Sequence, residues 1–383
     1  MYFGTVDFEF LKLAGICRYI PSGLSRRYDT PLFSRRTIAN LQEHRFIKLL
    51  SDKMSYKLTK RGRDILAEMG YGFTGDARTN LKKKSYVRKL KNAQWNILLS
   101  LAGINVYYKA ARELENTDCG YMSCLTLRAD KNMKVLSGTK FLGILKLYDA
   151  VYIPYYIEDE TAWIYPVFER ETFRSQADTI RNVKTIHILL TGESLEELWE
   201  YINTAPESAG PNTGRIRISK ALEESGSDYS LVPFGRGGVM QMNIMKIFSY
   251  RKRLAGALGC STDKIPSLAD CDGMRNHVPY IIAIDFDIKR IVRALKQIEK
   301  YDTSVVPRIC CLSFQKSTMY KLLEKYGTQK IRVSSIDTDF IHKVFPEIDE
   351  NKFEAQPFRT KEGEYIEIPE RRLTKDEIEY IEE

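Results

Sequence analysis

The chain has 383 residues, 43% of them hydrophobic and 28% charged, which supplies ample material for a core and fits two or three domains. That balance excludes a disordered tail, a collagen-like chain and a small disulfide scaffold. No run of eighteen apolar residues occurs, so neither a transmembrane helix nor a membrane partner is expected. The net charge of +9 is unevenly distributed: residues 1–100 hold 20 Lys+Arg against 8 Asp+Glu, and the remainder is slightly acidic. Such asymmetry points to an N-terminal module that meets a polyanion, although a merely solubilising basic surface has the same signature.

The opening MYFGTVDFEF has no basic n-region followed by an apolar stretch, so no secretory signal is expected. The cysteines, Cys17, Cys119, Cys124, Cys260, Cys271, Cys310 and Cys311, form an odd set without a Cys-x-x-Cys pair. They read as reduced cytoplasmic thiols. The histidines, His44, His187, His277 and His342, lie far apart and show no metal-ligand spacing, so neither metal nor cofactor is expected.

Asp7 to Tyr19 carries a helical apolar stripe of Phe8, Phe10, Leu11, Leu13, Ala14 and Cys17, broken by Pro21, Ser22 and Gly23. A short basic helix over Leu24 to Asp29 follows, and then a helix from Ser34, its N-cap, to Glu43. Phe46 to Leu50 and Tyr56 to Leu58 read as a hairpin about Ser51-Asp52-Lys53. Thr59 caps a last helix that ends at Gly70.

Three helices, a two-stranded hairpin and a helix are the order of a winged helix-turn-helix domain. The residues carry the same resemblance. Arg35 to Ile47 is similar to that family's junction of recognition helix and glycine-leucine-isoleucine, with Arg45 where glycine is common, and Tyr56-Lys57-Leu58-Thr59-Lys60-Arg61-Gly62 resembles its wing strand returning into a helix. Side chains in the first half of a recognition helix read base edges, and Arg35, Arg36, Thr37 and Asn40 lie there. Arg26 and Arg27, with Lys53 and Lys57 on the wing, are placed for phosphates, and Lys60, Arg61 and Arg63 for phosphates or for solvent. The alternative is a winged helix used for protein contacts.

Residues 72–117 read as a basic helical connector in which Lys82, Lys83 and Lys84 either follow DNA or are solvated. Strands and helices then alternate, as in a mostly parallel covered sheet. Gly143 to Ile153 forms a hairpin turning near Tyr148-Asp149, extended by Tyr155 to Ile157, with a further strand at Trp163 to Tyr165. Thr172 to Asn182 reads as a helix, Thr185 to Leu190 as a strand and Ser194 to Ile202 as a helix. Tyr280 to Phe286, Arg308 to Phe314 and Lys330 to Ile336 read as strands around helices at Ile288 to Ile298 and Ser317 to Tyr326. The Gly-, Ser-, Asn- and Pro-rich segment 203–235 divides the region. The expected layout is therefore a winged helix-turn-helix at 1–71, the connector at 72–117, α/β lobes at 118–205 and 206–345, and a charged tail at 346–383 with a helix from Thr374.

A metal-dependent nuclease core needs an Asp on a strand and a nearby Glu-x-Lys. Asp149 is followed by Glu169-Arg170-Glu171, which lacks the Lys, and no complete triad appears. Asp285 and Asp287 end a strand, where helix capping is the commoner role. The Gly235-Arg236-Gly237-Gly238 turn could offer amides to a phosphate but lacks a P-loop's Lys-Ser/Thr. Cys310-Cys311 reads as core.

Residues 120–190, through Gly138 to Ile144, Leu145, Tyr148, Tyr152, Tyr155 and Trp163, together with the winged helix, resemble the replication-relaxation proteins of Firmicutes plasmids and integrative elements. That resemblance implies a non-catalytic accessory factor of a mobile element that binds double-stranded DNA. Its α/β module would be a nuclease-like fold without its metal site, contacting replication or transfer machinery or a second copy of the chain. A ligand-sensing regulator using Gly235 to Gly238, or a nuclease using Asp149, Glu169 or Asp285, stays open.

Overall fold

The computed structural model describes residues 5–71, 84–131, 141–157, 163–164, 185–203, 216–217, 228–263, 265–301, 305–327, 330–348, 358–359 and 365–366. The chain is mixed α/β and divides into two compact units, Met1–Leu101 with Asp349–Glu383, and Ala102–Ile348. The helices expected at 172–182 and from Thr374 lie outside the described residues.

In the first unit the apolar stripe of α1 (Thr5–Cys17) is buried at Phe8, Phe10, Leu11, Leu13 and Ala14. The chain turns at Arg18 (φ 64°) into β1 (Ile20–Pro21). Only 3-10 turns, at Leu24–Arg26 and Pro31–Phe33, form where a helix was expected. Between the left-handed Gly23 and Pro31 too few residues remain to nucleate an α-helix. Helix α2 (Arg35–Glu43) starts at Ser34, whose hydroxyl accepts the Thr37 N–H at 3.1 Å, as expected.

The hairpin is present as β2 (Ile47–Leu49) and β3 (Ser55–Leu58), and β1 joins it to give an antiparallel sheet in the order β1-β3-β2. Two residues, one of them proline, gave no strand signal. Pro21 is tolerated because it sits in an edge strand. Thr59 caps α3 (Lys60–Glu68), accepting the Gly62 N–H. A Cβ at Gly62 would stand 2.3 Å from the Phe46 carbonyl oxygen, so close passage of the backbone explains this glycine.

Helix α4 (Lys84–Leu101) is part of this unit's core rather than a spacer. Trp95, Ile97, Leu98 and Leu99 are fully buried, and Tyr86 packs edge-on against Tyr19 at 5.3 Å with its hydroxyl 2.7 Å from Ser55 Oγ. The boundary expected after residue 71 therefore falls after Leu101.

The second unit opens with α5 (Ala111–Glu115), β4 (Cys119–Ser123) and α6 (Cys124–Lys131). The expected hairpin follows as β5 (Gly143–Leu147) and β6 (Ala150–Tyr156), its turn made by Tyr148 at φ 58°. Then come β7 (Trp163–Ile164), β8 (Thr185–Gly192), α7 (Leu195–Asn203), β9 (Ile216–Arg217), β10 (Tyr229–Pro233), α8 (Arg236–Met245) and α9 (Tyr250–Ala257). The rest is β11 (Gly273–Arg275), β12 (Val278–Ile282), α10 (Ile288–Tyr301), β13 (Arg308–Leu312), α11 (Lys316–Tyr326), β14 (Arg332–Ile336) and α12 (Thr338–Val344).

Two sheets result. The five-stranded one runs β10-β8-β6-β5-β4, parallel over β10, β8 and β6 and antiparallel beyond. The four-stranded one runs β11-β12-β13-β14, parallel over the last three. No division falls at residue 205. Strand β10 completes the sheet begun before that point, and one apolar core includes Val151, Leu190 and Leu231 of the first sheet with Ile281 and Ile309 of the second. The burial of successive residues along β10 and β13 matches strands covered on both faces.

Candidate nucleic-acid interface and a polar cleft

The basic residues of the first unit are mostly at its surface. Arg35 and Arg36 are exposed in the first turn of α2. Thr37 is buried, its hydroxyl donating to the Pro31 carbonyl at 2.9 Å, and the Asn40 amide donates to Asp7 at 3.2 Å. Both therefore secure α2 against its own unit. Arg26, Lys53, Lys60 and Arg61 are exposed, and Lys57 and Arg63 are half-buried. Arg27 is half-buried and donates to Gln94 at 2.8 Å, and Arg61 stacks over the Phe46 ring at 5.1 Å. Lys82 and Lys83, and the side chain of Lys84 at the start of α4, lie outside the described residues.

The hairpin register adds a feature that residue types alone did not single out. Lys48 of β2 stands directly opposite Lys57 of β3. Like charges in that relation destabilise a hairpin. Lys53, left-handed at φ 57°, adds a third cation in the turn, and Arg45, also left-handed at φ 57°, adds a fourth beside α2. An anion laid against this surface would relieve the repulsion.

The second unit contains a cleft of about 480 Å³ lined by Tyr148, Tyr152, His187, Tyr250, Arg251 and Asp272, among others. The β6–β8 register pairs Tyr152 with His187, and their rings stack at 5.0 Å. Beside them lies a network of buried charge. Arg290 of α10 reaches Asp272 at 3.0 Å, Asp285 at 3.3 Å, and the carbonyls of Ile282 and Asp270. Asp285 also meets Arg251 at 3.3 Å. Arg293 holds Asp228 through two nitrogens, at 2.5 and 3.2 Å, and reaches Asp270.

Burial alone would raise the Asp285 carboxyl, but Arg290 and Arg251 outweigh it and hold the group below the usual carboxylate range. Asp287, two residues on, moves the other way, raised by burial and by the neighbouring Asp285 charge. Burial pushes the His187 imidazole down and the Tyr152 and Tyr250 phenols up, so His187 is neutral and both phenols keep their protons at neutral pH.

Asp287 does cap a helix, its Oδ1 accepting the Arg290 N–H at 3.0 Å. Strand β12 stops at Ile282, so Asp285 and Asp287 sit in the turn beyond it rather than in the strand. Asp149 is exposed in the β5–β6 turn at the cleft, and Glu169-Arg170-Glu171 lies outside the described residues. Gly235 adopts φ 97°, and a Cβ at Gly237 would stand 2.9 Å from the Phe314 ring; backbone shape and packing thus account for two glycines of that turn. Cys310 and Cys311 are buried in β13, with burial pushing both thiols up to about 12, as expected of core cysteines.

Sequence spacing missed the meeting of His187, Asp228 and Asp287, because separate strands and a turn bring them together from distant parts of the chain. Compared with protein-family models, with curated proteins and with solved structures, the chain matches none.

Proposed function

We propose that the chain binds double-stranded DNA through residues 5–71, as a non-catalytic accessory factor in the replication, transfer or regulation of a mobile element. The observation that carries the reading is the cationic hairpin, with Lys48 opposed to Lys57 and Lys53 in the turn. A protein that tolerates this repulsion in its free state recovers it when phosphates arrive.

The order α1, β1, α2, β2, β3, α3 and the sheet order β1-β3-β2 support reading this unit as a winged helix whose second helix is reduced to 3-10 turns. In that reading α2 enters the major groove. Arg35 and Arg36 reach base edges, and Thr37 and Asn40 hold the helix in place rather than touch DNA. Lys48, Lys53 and Lys57 form the wing, and Arg26, Lys60 and Arg61 are further cations for the backbone. The mobile-element assignment rests on the resemblance of residues 120–190. The second unit then contacts replication or transfer machinery or a second copy of the chain, and a dimer would place half-sites one helical turn apart.

The test is a fluorescence-anisotropy titration of duplex DNA with the full chain and with Arg35→Ala/Arg36→Ala. Each lost two-point base contact is worth ~1–3 kcal/mol, so the pair should weaken specific binding at least tenfold. Equal affinities would remove α2 from the interface.

A further inference from the structure

We propose that His187, Asp228 and Asp287 together bind one divalent metal ion of the manganese–zinc class in the second unit. The inference is independent of the DNA reading. The three side chains come from different elements: β8, the residue before β10, and the turn before α10. One ligand atom of each lies within 4.8 Å of the other two. Ligands about 2.1 Å from one tetrahedral ion stand about 3.4 Å apart, so the three side chains would close by at most about 1.4 Å.

Asp287 supplies an independent reason to expect a cation. It is only 5% exposed, and one of its oxygens accepts the Arg290 N–H. Among the described residues the carboxylate forms no ion pair of its own. Around it, Asp228, Asp270, Asp272 and Asp285 pair with only three guanidiniums, those of Arg251, Arg290 and Arg293. With Asp287 the network holds five carboxylates against three guanidiniums, of which Arg251 and Arg293 reach solvent while Asp272, Asp285, Asp287 and Arg290 are nearly buried. Buried carboxylate in excess of its cations is costly unless compensated, and a bound cation compensates it.

The surroundings also orient the ligands. Arg293 grips Asp228 through two nitrogens, leaving lone pairs free on the carboxylate, and Tyr152 stacks on the His187 ring. Outer partners of this kind fix metal ligands in position. One imidazole with two carboxylates suits manganese or zinc better than the all-oxygen shells of calcium and magnesium.

The full-length protein, stripped with EDTA and desalted, is titrated with Mn²⁺ while the free-ion EPR signal is followed, and Zn²⁺ is then added. One Mn²⁺ should bind per chain and Zn²⁺ should displace it. Asp287→Asn keeps the helix cap and the volume and should weaken Mn²⁺ binding at least tenfold, as should His187→Gln. Asp263→Asn, an exposed acid lining the cleft that His187 also lines, should change it less than twofold. A metal-induced rise in melting temperature should vanish in Asp287→Asn, and Asp287→Ser, also a cap-former, repeats the test should the Asn variant fold poorly. Absence of Mn²⁺ and Zn²⁺ binding overturns the assignment and leaves a structural ion-pair network. Undiminished binding in the Asp287 and His187 variants overturns it equally, since the ion then sits elsewhere.

Discussion

Replacing Arg290 by Met should unfold the second unit at a markedly lower temperature. The guanidinium is 6% exposed and donates four hydrogen bonds, to Asp272, Asp285 and the carbonyls of Asp270 and Ile282. Methionine preserves much of the volume but leaves the buried Asp285 with Arg251 alone and the Asp272 carboxylate without its guanidinium. Removing one partner of a buried ion pair costs ~3–5 kcal/mol. At roughly 2–4 °C per kcal/mol for a domain of this size, the melting temperature of the full chain should fall by about 6–20 °C, read by circular dichroism. Adding Asp272→Asn should recover part of the loss, because it removes one stranded charge; a double-mutant cycle isolates that coupling. The control is Arg253→Met, whose partner Glu347 is exposed, with an expected cost below about 1 kcal/mol. If Arg290→Met and Arg253→Met cost the same, the network does not organise the unit.

Gly62→Ala should destabilise the first unit by ~1–3 kcal/mol, because its Cβ would press on the Phe46 carbonyl, and a urea melt measures the loss. Arg45→Gly should stabilise the same unit by about 1 kcal/mol, since Arg45 occupies the left-handed region. Lys48→Glu should raise thermal stability by a few tenths to 1 kcal/mol by pairing with Lys57, yet weaken duplex binding; a rise in stability with unchanged DNA affinity would take the hairpin out of the interface. Cys17, Cys310 and Cys311, with thiols pushed up to about 12 by burial, are ionised to about one part in ten thousand at pH 8, so iodoacetamide should modify them only after unfolding, as peptide mass spectrometry would show.

Local signals made much of this molecule legible. The stripe of α1, the Ser34 and Thr59 caps and the Ser51-Asp52-Lys53 turn each act within a few residues, and the elements they imply are present. Strand β1 was not legible because two residues with a proline have no periodicity, and its pairing with β3 is set by tertiary contact. The helical character of α4 was visible, but not the face of α1 and β1 that it covers, so it read as a connector. In the second unit β5, β6, β8, β12, β13 and β14 were readable, β4, β9 and β11 were not, and of the pairings only that of β5 with β6 was. Asp285 and Asp287 stood out as acids at a strand end, whereas Asp228 and His187 join them because parallel β8 and β10 lie side by side, and Arg251 because α9 carries it there. Lys48 could have been found from the hairpin alone, since the turn fixes the register that sets it against Lys57.

The most direct measurement is a titration of duplex DNA with the full-length chain across a salt series. Binding with intact DNA and an affinity falling steeply with salt is predicted, with a log–log slope of about −5 if roughly six phosphates are contacted. No binding at low salt, or an affinity indifferent to salt, would contradict the account and make the first unit a protein-contact module.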